Sequence, residues 1–236
     1  MAREFEIRRE VELPATPEEV WEAVTTSEGN AAWLFPGLAD PSDIRLSEPP
    51  RRFTIHTEGE DGWFNSIEDV IEARDGSTTV LRYVHSGIFT DDWDNQYDAA
   101  GRHTDFYLHT LGEYLRHFKG RTATYVGGGP GGLEGPESSA TPGSLDVVKR
   151  ALGLDRGASV GDEVSFGVEG LGTQEGVVDY VDEHFLGIRT GDAMYRFFGR
   201  GAWGMPTGMS AHLFGADAGE QRQTQAWSAW LEKAFA

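Results

Sequence analysis

The fold is decided by residues 7–21, Ile7-Arg8-Arg9-Glu10-Val11-Glu12-Leu13-Pro14-Ala15-Thr16-Pro17-Glu18-Glu19-Val20-Trp21. Before Pro14, apolar residues alternate with charged ones, which predicts a half-buried strand. From Thr16 the pattern is that of a helix start. Thr16 is placed to cap the helix, Pro17 takes the first position, where a missing N–H is harmless, and Glu19 completes a capping box.

After this helix start, three short alternating segments predict an antiparallel meander, and an amphipathic helix closes it. The predicted strands are Arg52–Glu58, Trp63–Glu72 and Thr78–Ser86, separated by glycine-containing turns. The helix is predicted from His103 to Lys119, with apolar residues at three-to-four spacing and Gly120 at its end. The acidic stretch Asp91–Asp98 is predicted to be a solvated loop. It fails as a calcium-binding EF-hand loop because the required glycine and glutamate are missing.

The second half of the chain repeats this pattern. Residues 127–143 are rich in Gly, Pro and Ser and predict a linker or long loop. Thr141-Pro142-Gly143-Ser144-Leu145 then echoes the first helix start, and an aromatic-rich helix is predicted over Gln221–Phe235. Phe166–Gly170 matches the segment at Phe53, and Val178–Asp182 matches Glu68–Glu72. The predicted organisation is a domain over 1–120, a linker or loop over 121–143, and a shorter, more divergent domain over 144–236.

The order of strand, Thr-Pro-Glu-Glu-Val-Trp helix, meander and closing helix resembles the START-like (SRPBCC, helix-grip) superfamily. This superfamily includes polyketide cyclases, birch-pollen-allergen-like proteins and the activators of the Hsp 90 ATPase. The opening at Ile7–Trp21 looks most like the activator (Aha-like) branch. The resemblance covers residues 3–119 well and 141–235 loosely. It implies an α+β helix-grip fold in two tandem copies, each with a curved antiparallel sheet around a long C-terminal helix. The fold by itself does not determine an activity.

Composition narrows the classes of function. The 236 residues suit two domains of ordinary size. A net charge of −19 argues against nucleic acid and anionic membranes as partners, because both require cationic surfaces. The sequence has no apolar run long enough to span a bilayer and no leader pattern at its start. It also has 0 cysteines. From these features we expect a soluble, cytoplasmic protein without membrane insertion.

Several motifs match catalytic or metal-binding patterns only in part. Gly157-Ala158-Ser159-Val160-Gly161 has the letters of a nucleophile elbow, but a predicted helix precedes it and a predicted strand follows, which reverses the required order. Gly127, Gly129 and Gly132 have dinucleotide-fingerprint spacing, but no helix is predicted after them. His109, Glu113 and His117 could stack metal ligands on one helix face. We interpret that face as an exposed polar one. No catalytic set, metal or cofactor is predicted.

The remaining candidates lie in a hollow expected under the first closing helix. His56 and His85 lie in predicted strands, and either one could face inward as a general base beside Tyr83 or Asp69. Large aromatic residues suit an amphipathic ligand because they combine apolar area with polar atoms. The predicted ligand-binding residues of the cavity are Trp33, Phe35, Phe53, Trp63, Tyr83, His85, Trp93 and Phe106.

Three functions follow from these patterns. The favoured one is noncatalytic binding of a hydrophobic small molecule or lipid-like ligand in the helix-grip cavity. The second is a chaperone-linked or stress-related module of the Hsp 90 ATPase activator type. It would bind a protein partner through exposed apolar residues around Trp203, Met205 and Met209. The third is a cyclase, dehydratase or hydrolase that acts in the cavity.

Overall fold

The structure is a computed structural model that describes residues 2–37, 40–75, 77–155, 157–215 and 219–236. The chain divides into two compact units, Met1–Gly120 and Arg121–Ala236. Each unit has its own antiparallel sheet and a helix that follows the last strand of that sheet.

The first unit has five strands and three helices. In chain order these are β1 (Arg3–Leu13), α1 (Pro17–Thr25), α2 (Ser27–Ala31), β2 (Ile44–Glu48), β3 (Arg52–Glu58), β4 (Phe64–Ala73), β5 (Thr79–Phe89) and α3 (Trp93–His117). The strands lie in the order β1-β5-β4-β3-β2, so the first strand pairs with the last. The predicted meander strands are confirmed, and β3 has the predicted bounds.

The predicted helix start after β1 is also confirmed. The backbone N–H of Glu19 donates to Thr16 Oγ1 at 3.3 Å, and the Thr16 N–H donates to Glu19 Oε2 at 2.9 Å. Pro17 is the first residue of α1. The reciprocal bonds satisfy two donors that a helix start would otherwise leave open.

The closing helix α3 begins ten residues before the predicted start, so the prediction of a solvated loop over Asp91–Asp98 is wrong for its second part. The first turns of α3 are held against β1 by their aromatic residues. The indole N–H of Trp93 donates to the carbonyl of Glu4 at 3.0 Å, and the Tyr97 hydroxyl donates to the carbonyl of Glu6 at 3.3 Å. These tertiary bonds favour a helix where local polarity indicated a loop.

Two faces of α3 are buried, which differs from the exposed polar face that the sequence indicated. Thr104, Leu108 and Leu111 share one face at helical spacing, and all three are buried. Phe106 and Glu113, about half a turn away, are buried as well, at 0% and 6% exposure. The interpretation of the His109–Glu113–His117 face as exposed is therefore wrong for Glu113.

The second unit has the same plan with additional strands. Its elements are β6 (Thr124–Val126), β7 (Leu133–Glu134), α4 (Ser144–Ala151), β8 (Glu163–Val168), β9 (Gly172–Val181), β10 (Phe185–Arg189), β11 (Ala193–Phe198), β12 (Gly208–Leu213) and α5 (Glu220–Ala234). The strand order is β6-β12-β11-β10-β9-β8, and β7 also pairs with β12. As in the first unit, the first strand pairs with the last strand of the meander. Short 3-10 turns occur in both units, at Pro41–Asp43, Glu60–Gly62, Glu137–Ser139 and Arg200–Trp203.

This topology confirms two tandem α+β copies of the helix-grip type, but it corrects details of the repeat. Residues 121–143, predicted to be a linker or loop, supply β6 and β7 to the second sheet. When strands are counted from the paired first strand of each sheet, β4 corresponds to β11. Val178–Asp182 begins within β9 instead, so it does not match Glu68–Glu72 in β4. Phe166 lies in β8, the far edge strand. The predicted match of these motifs between the two halves is therefore wrong, because a short alternating segment does not determine which strand of the other sheet it corresponds to.

The inner face of the second sheet is filled by the side chain of Trp227 from α5. Trp227 is fully buried, and its ring centroid lies 5.2 Å from that of Tyr195 and 5.8 Å from that of Phe197. Phe166 packs against the same indole at 6.1 Å. One large side chain therefore occupies the position under α5 where a ligand hollow would lie.

We predict that Trp227→Ala destabilises the second unit by about 3–5 kcal/mol, because it removes a large buried side chain and leaves a cavity. Trp230→Ala on the same helix removes a partly exposed indole and should cost clearly less. Chemical denaturation, with hydrogen exchange of the β11 and β12 amides, measures both losses. Equal losses for the two variants would contradict the role given to Trp227.

Candidate functional site

The candidate site lies on the inner face of the first sheet, the face that bears the buried side chains of β3 and β4. Phe53, Ile55 and Ile67 form an apolar cluster there, with Tyr83 packed against it. Strand register places Asp69 directly between Phe53 and Tyr83, and Ile67 between Ile55 and His85. Side chains alternate between the faces of a strand, so Asp69, Tyr83 and His85 share this face.

Asp69 is the most unusual residue of the site. Its side chain is 5% exposed, and it has no hydrogen bond or ion pair within the described residues. Burial, together with the negative charge of Glu68, raises the pKa of Asp69 from 3.8 to about 7. A buried carboxyl group without partners costs free energy, so such a group marks a candidate functional site.

His85 neighbours Asp69 diagonally and is a neutral hydrogen-bonding group. Its Nε2 lies 2.7 Å from Asn65 Oδ1, and burial lowers its pKa from 6.5 to about 4. Neutral imidazole carries one N–H. With Nε2–H donating to Asn65, Nδ1 keeps an acceptor lone pair. Phe5 packs edge-on against the ring at 4.9 Å.

Tyr83 lies beside the closing helix, close to Thr104 of α3. Burial, together with the charge of Asp69, raises the pKa of Tyr83, and the Thr104 side chain offsets part of this rise. Thr104 donates its own hydroxyl proton to the carbonyl of Ala100 at 2.8 Å. Tyr83 and His85 lie at the centre of the sheet but are only partly buried. The helix therefore leaves some of their surface accessible.

Aromatic side chains border these polar groups. Trp21 of α1 packs edge-on against Phe53, with ring centroids 5.9 Å apart. Phe35 packs against Tyr107 of α3 in the same geometry at 6.4 Å. Rings of this kind provide large apolar contact area for an amphipathic ligand.

The structure brings together three of the predicted cavity residues, Phe53, Tyr83 and His85. Phe35 lies beside them through its contact with Tyr107. Phe106 lies on the face of α3 opposite to Thr104, and its ligand-binding role stays a prediction. The sequence could not decide which face of α3 would meet the sheet, because residues of both faces are apolar.

The three predicted tryptophans have structural contacts of their own. Trp33 is 5% exposed and donates its indole N–H to the carbonyl of Ala23 at 2.9 Å. Trp63 donates to the carbonyl of Ile88 at 2.9 Å. Trp93 stacks on Tyr97 at the start of α3. These contacts do not place them among the inner-face polar groups, and their ligand-binding role stays a prediction.

The other histidine candidate faces away from the site. His56 is opposite Ser66 in register and stacks on the ring of Phe64 at 5.4 Å, with Nε2 3.4 Å from Glu58. Because residue parity along β3 separates His56 from Phe53, the two side chains lie on opposite faces. Of the two histidines considered, only His85 is positioned for chemistry on the inner face.

The other predicted motifs are not assembled into sites. Within the described ranges, no group of three or more His, Asp or Glu side chains is arranged to hold a metal ion. Glu113 instead contacts Arg116 at 2.6 Å and His117 at 3.5 Å. The expected exposed patch is missing at Trp203 and Met209, which are 7% and 0% accessible, and Met205 is half-buried.

Sequence reasoning missed three contributors to the site: Asn65, Thr104 and Trp21. Asn65 and Thr104 are common polar residues whose role follows only from the strand register and the helix position. Trp21 lies in the predicted helix start, and the sequence indicates no ligand-binding role for it. A signal was available for Asn65, because it lies two residues before Ile67 and therefore on the same face of β4.

Comparison with known proteins finds similarity at the level of fold. No family model matches the chain. No curated protein matches it either. Among solved structures, the Aha1 dimer from Colwellia psychrerythraea matches 49% of this chain and 99% of its own, with 18% identity and a TM-score of 0.40.

Two other solved structures match nearly the whole chain. The di-domain ARO/CYC BexL of the BE-7585A biosynthetic pathway covers 98% of both chains, with 14% identity and a TM-score of 0.41. DynU16, from the dynemicin biosynthetic locus, covers 98% of this chain and 99% of its own, with 19% identity and a TM-score of 0.39. At these identities the matches concern the fold alone. Of the described helices, none is both long and apolar enough to cross a membrane.

We predict that Asp69→Asn stabilises the protein at neutral and alkaline pH. The folded carboxyl has a pKa near 7 against 3.8 when unperturbed, so ionised Asp69 disfavours folding. The variant and the parent should have equal free energies of unfolding below about pH 4. The variant's advantage should grow between pH 4 and 7, up to about 4 kcal/mol above pH 7. Denaturant titrations at pH 4, 6 and 8 measure this difference.

Glu68→Gln is the matched control, because it removes the same charge from the adjacent residue on the outer face. It should show a much smaller pH-dependent gain, because the charge of Glu68 is the lesser of the two causes that raise the pKa of Asp69. A gain for Asp69→Asn that does not change with pH would contradict the burial assigned to the carboxyl group.

Proposed function

We propose that the first unit binds an uncharged amphipathic small molecule on the inner face of its sheet. The ligand would place an apolar body against the aromatic residues and a hydroxyl or similar polar group against Asp69. The fold is compatible with ligand binding, and the polar and aromatic side chains of this face provide both kinds of contact.

The observation that carries this proposal is the unpartnered Asp69 carboxyl group. Buried polar groups in folded proteins are nearly always hydrogen-bonded, and a buried group that lacks its hydrogen bond costs about 1–3 kcal/mol of stability. Asp69 nevertheless has no hydrogen-bond partner among the described residues. A ligand hydroxyl would supply the missing bond.

The protonation states define the polar end of the ligand. Because its pKa is about 7, Asp69 can accept or donate a hydrogen bond at neutral pH. His85 stays neutral there and has an acceptor lone pair on Nδ1. A phenol or alcohol satisfies both groups. A carboxylate ligand would instead be repelled by ionised Asp69.

The second unit does not offer an equivalent site, because Trp227 occupies the corresponding region under α5. The proposed binding function therefore belongs to residues 2–37, 40–75 and 77–120 of the first unit.

Acid–base catalysis in the same place is the second candidate function. Asp69 has a pKa close to neutral pH, which suits proton transfer in either direction, and neutral His85 could accept a proton through Nδ1. The cyclase, dehydratase or hydrolase alternative would use this pair. The chaperone-linked alternative has only the resemblance to support it, since Trp203 and Met209 are buried.

To test the proposal, binding of 2-naphthol and of naphthalene to the full chain is measured by displacement of the neutral dye Nile red. The wild-type protein should bind both and prefer 2-naphthol. Asp69→Leu should weaken 2-naphthol binding about 10- to 100-fold, because it removes the hydrogen-bonding group, and should leave naphthalene binding within about twofold.

Glu68→Leu is the control, since it makes the same kind of change on the opposite face of β4. It should change neither affinity by more than about twofold. The proposal fails if the wild-type protein binds neither compound, or if Asp69→Leu and Glu68→Leu behave alike. Native mass spectrometry of the freshly purified protein would identify a ligand retained from the cell.

A further inference from the structure

A second candidate site lies in the second unit, in a groove formed by α4, α5 and the edge strand β8. The groove has a volume of about 580 Å³. Val147, Ala151 and Ala229 are among its small apolar lining residues, and Trp230 is its largest. None of these residues belongs to the inner-face site described above.

The groove is open because small residues line it. Gly167 on β8 has no atom within 4 Å of the position that a Cβ would take. Ala229 and Ala151 are exposed at the surface of their helices. Trp230 is only partly buried, and its indole N–H has no acceptor among the residues described. A flat apolar group could lie on this indole and along the alanines.

Two cationic side chains line the groove, Arg150 near the end of α4 and Lys233 near the end of α5. Neither has a hydrogen bond or ion pair with any residue in the described part of the chain. This is unusual here because acidic residues outnumber basic ones by 39 to 20. Cations do complement helix C-termini. Favourable interaction with a helix C-terminus, however, does not require Arg150 and Lys233 to face the same apolar groove.

One acidic residue, Glu169, also lines the groove, so the lining has two positively charged side chains and one negatively charged side chain. On a chain with a net charge of −19, this groove is a local exception to the negative charge. Electrostatic complementarity therefore favours an anionic occupant, and the apolar lining favours one with a hydrophobic body.

We propose that this groove binds a small amphiphilic anion, an aromatic or short acyl group with a single carboxylate. Its carboxylate pairs with Arg150 and Lys233, and its apolar body lies on Trp230. The charge preference is opposite to that of the site at Asp69, so the two sites select different ligands. This proposal does not depend on the function proposed for the first unit.

To test it, 2-naphthoate is titrated into the full chain by isothermal calorimetry at 50 mM NaCl. Arg150→Gln combined with Lys233→Gln should weaken binding about five- to tenfold, since each exposed ion pair contributes a modest amount. Ala229→Trp fills the groove from an exposed helix position and should weaken binding more than tenfold. Raising NaCl to 500 mM should weaken wild-type binding.

Arg51→Gln combined with Arg222→Gln is the charge-matched control, because neither residue lines the groove. This control and Asp69→Leu should keep the wild-type affinity within about twofold. The proposal is overturned if the neutral amide of 2-naphthoate binds equally well or if Ala229→Trp has no effect. It is also overturned if sedimentation shows a dimer that Ala229→Trp dissociates, because a second copy would then occupy the groove.

Discussion

The structure of the first unit depends on the pairing of its first strand with its last. β1 and β5 pair along their whole length, from Arg3 opposite Phe89 to Leu13 opposite Thr79. Because the chain leaves β5 beside β1, α3 begins at this edge of the sheet and is fixed to β1 by Trp93 and Tyr97. Further along, Asp105 pairs with Arg9, and Thr104 meets Tyr83. Without this pairing, no helix would lie above Asp69.

The two units show how one frame can produce different interiors. Both place the first strand beside the last and follow it with a helix. In the second unit that helix presents Trp227, which contacts three aromatic rings of the sheet. In the first unit the small side chain of Thr104 lies close to Tyr83 at the corresponding place under the helix. A ligand site therefore depends on which side chain lies under the helix, and this can change without altering the topology.

Much of this fold is predictable from the sequence where local signals are strong. The capping box at Thr16 and the bounds of β3 follow from short-range chemistry and strand alternation. The start of α3 does not, because its acidic first turns are stabilised by bonds to β1. The site is only partly predictable. Alternation indicated that an inward-facing histidine could lie beside Tyr83 or Asp69, but it could not decide between His85 and His56, nor which face of α3 covers the sheet. Those choices depend on tertiary packing, which a local pattern does not contain.

The free energy that Asp69 costs the fold is the strongest argument that the inner face has a function. Leucine or asparagine at this position would avoid burying an ionisable group, and the surrounding Phe53 and Ile67 would pack readily against an apolar side chain. A buried carboxyl group without partners is therefore difficult to explain by stability alone. The alternation of the strand does not require a charged residue at Asp69 either, because the neighbouring residue Glu68 already provides the solvent-facing charge. A bound hydrogen-bond donor resolves the conflict, since it would replace the missing partner and recover part of the lost stability whenever the site is occupied.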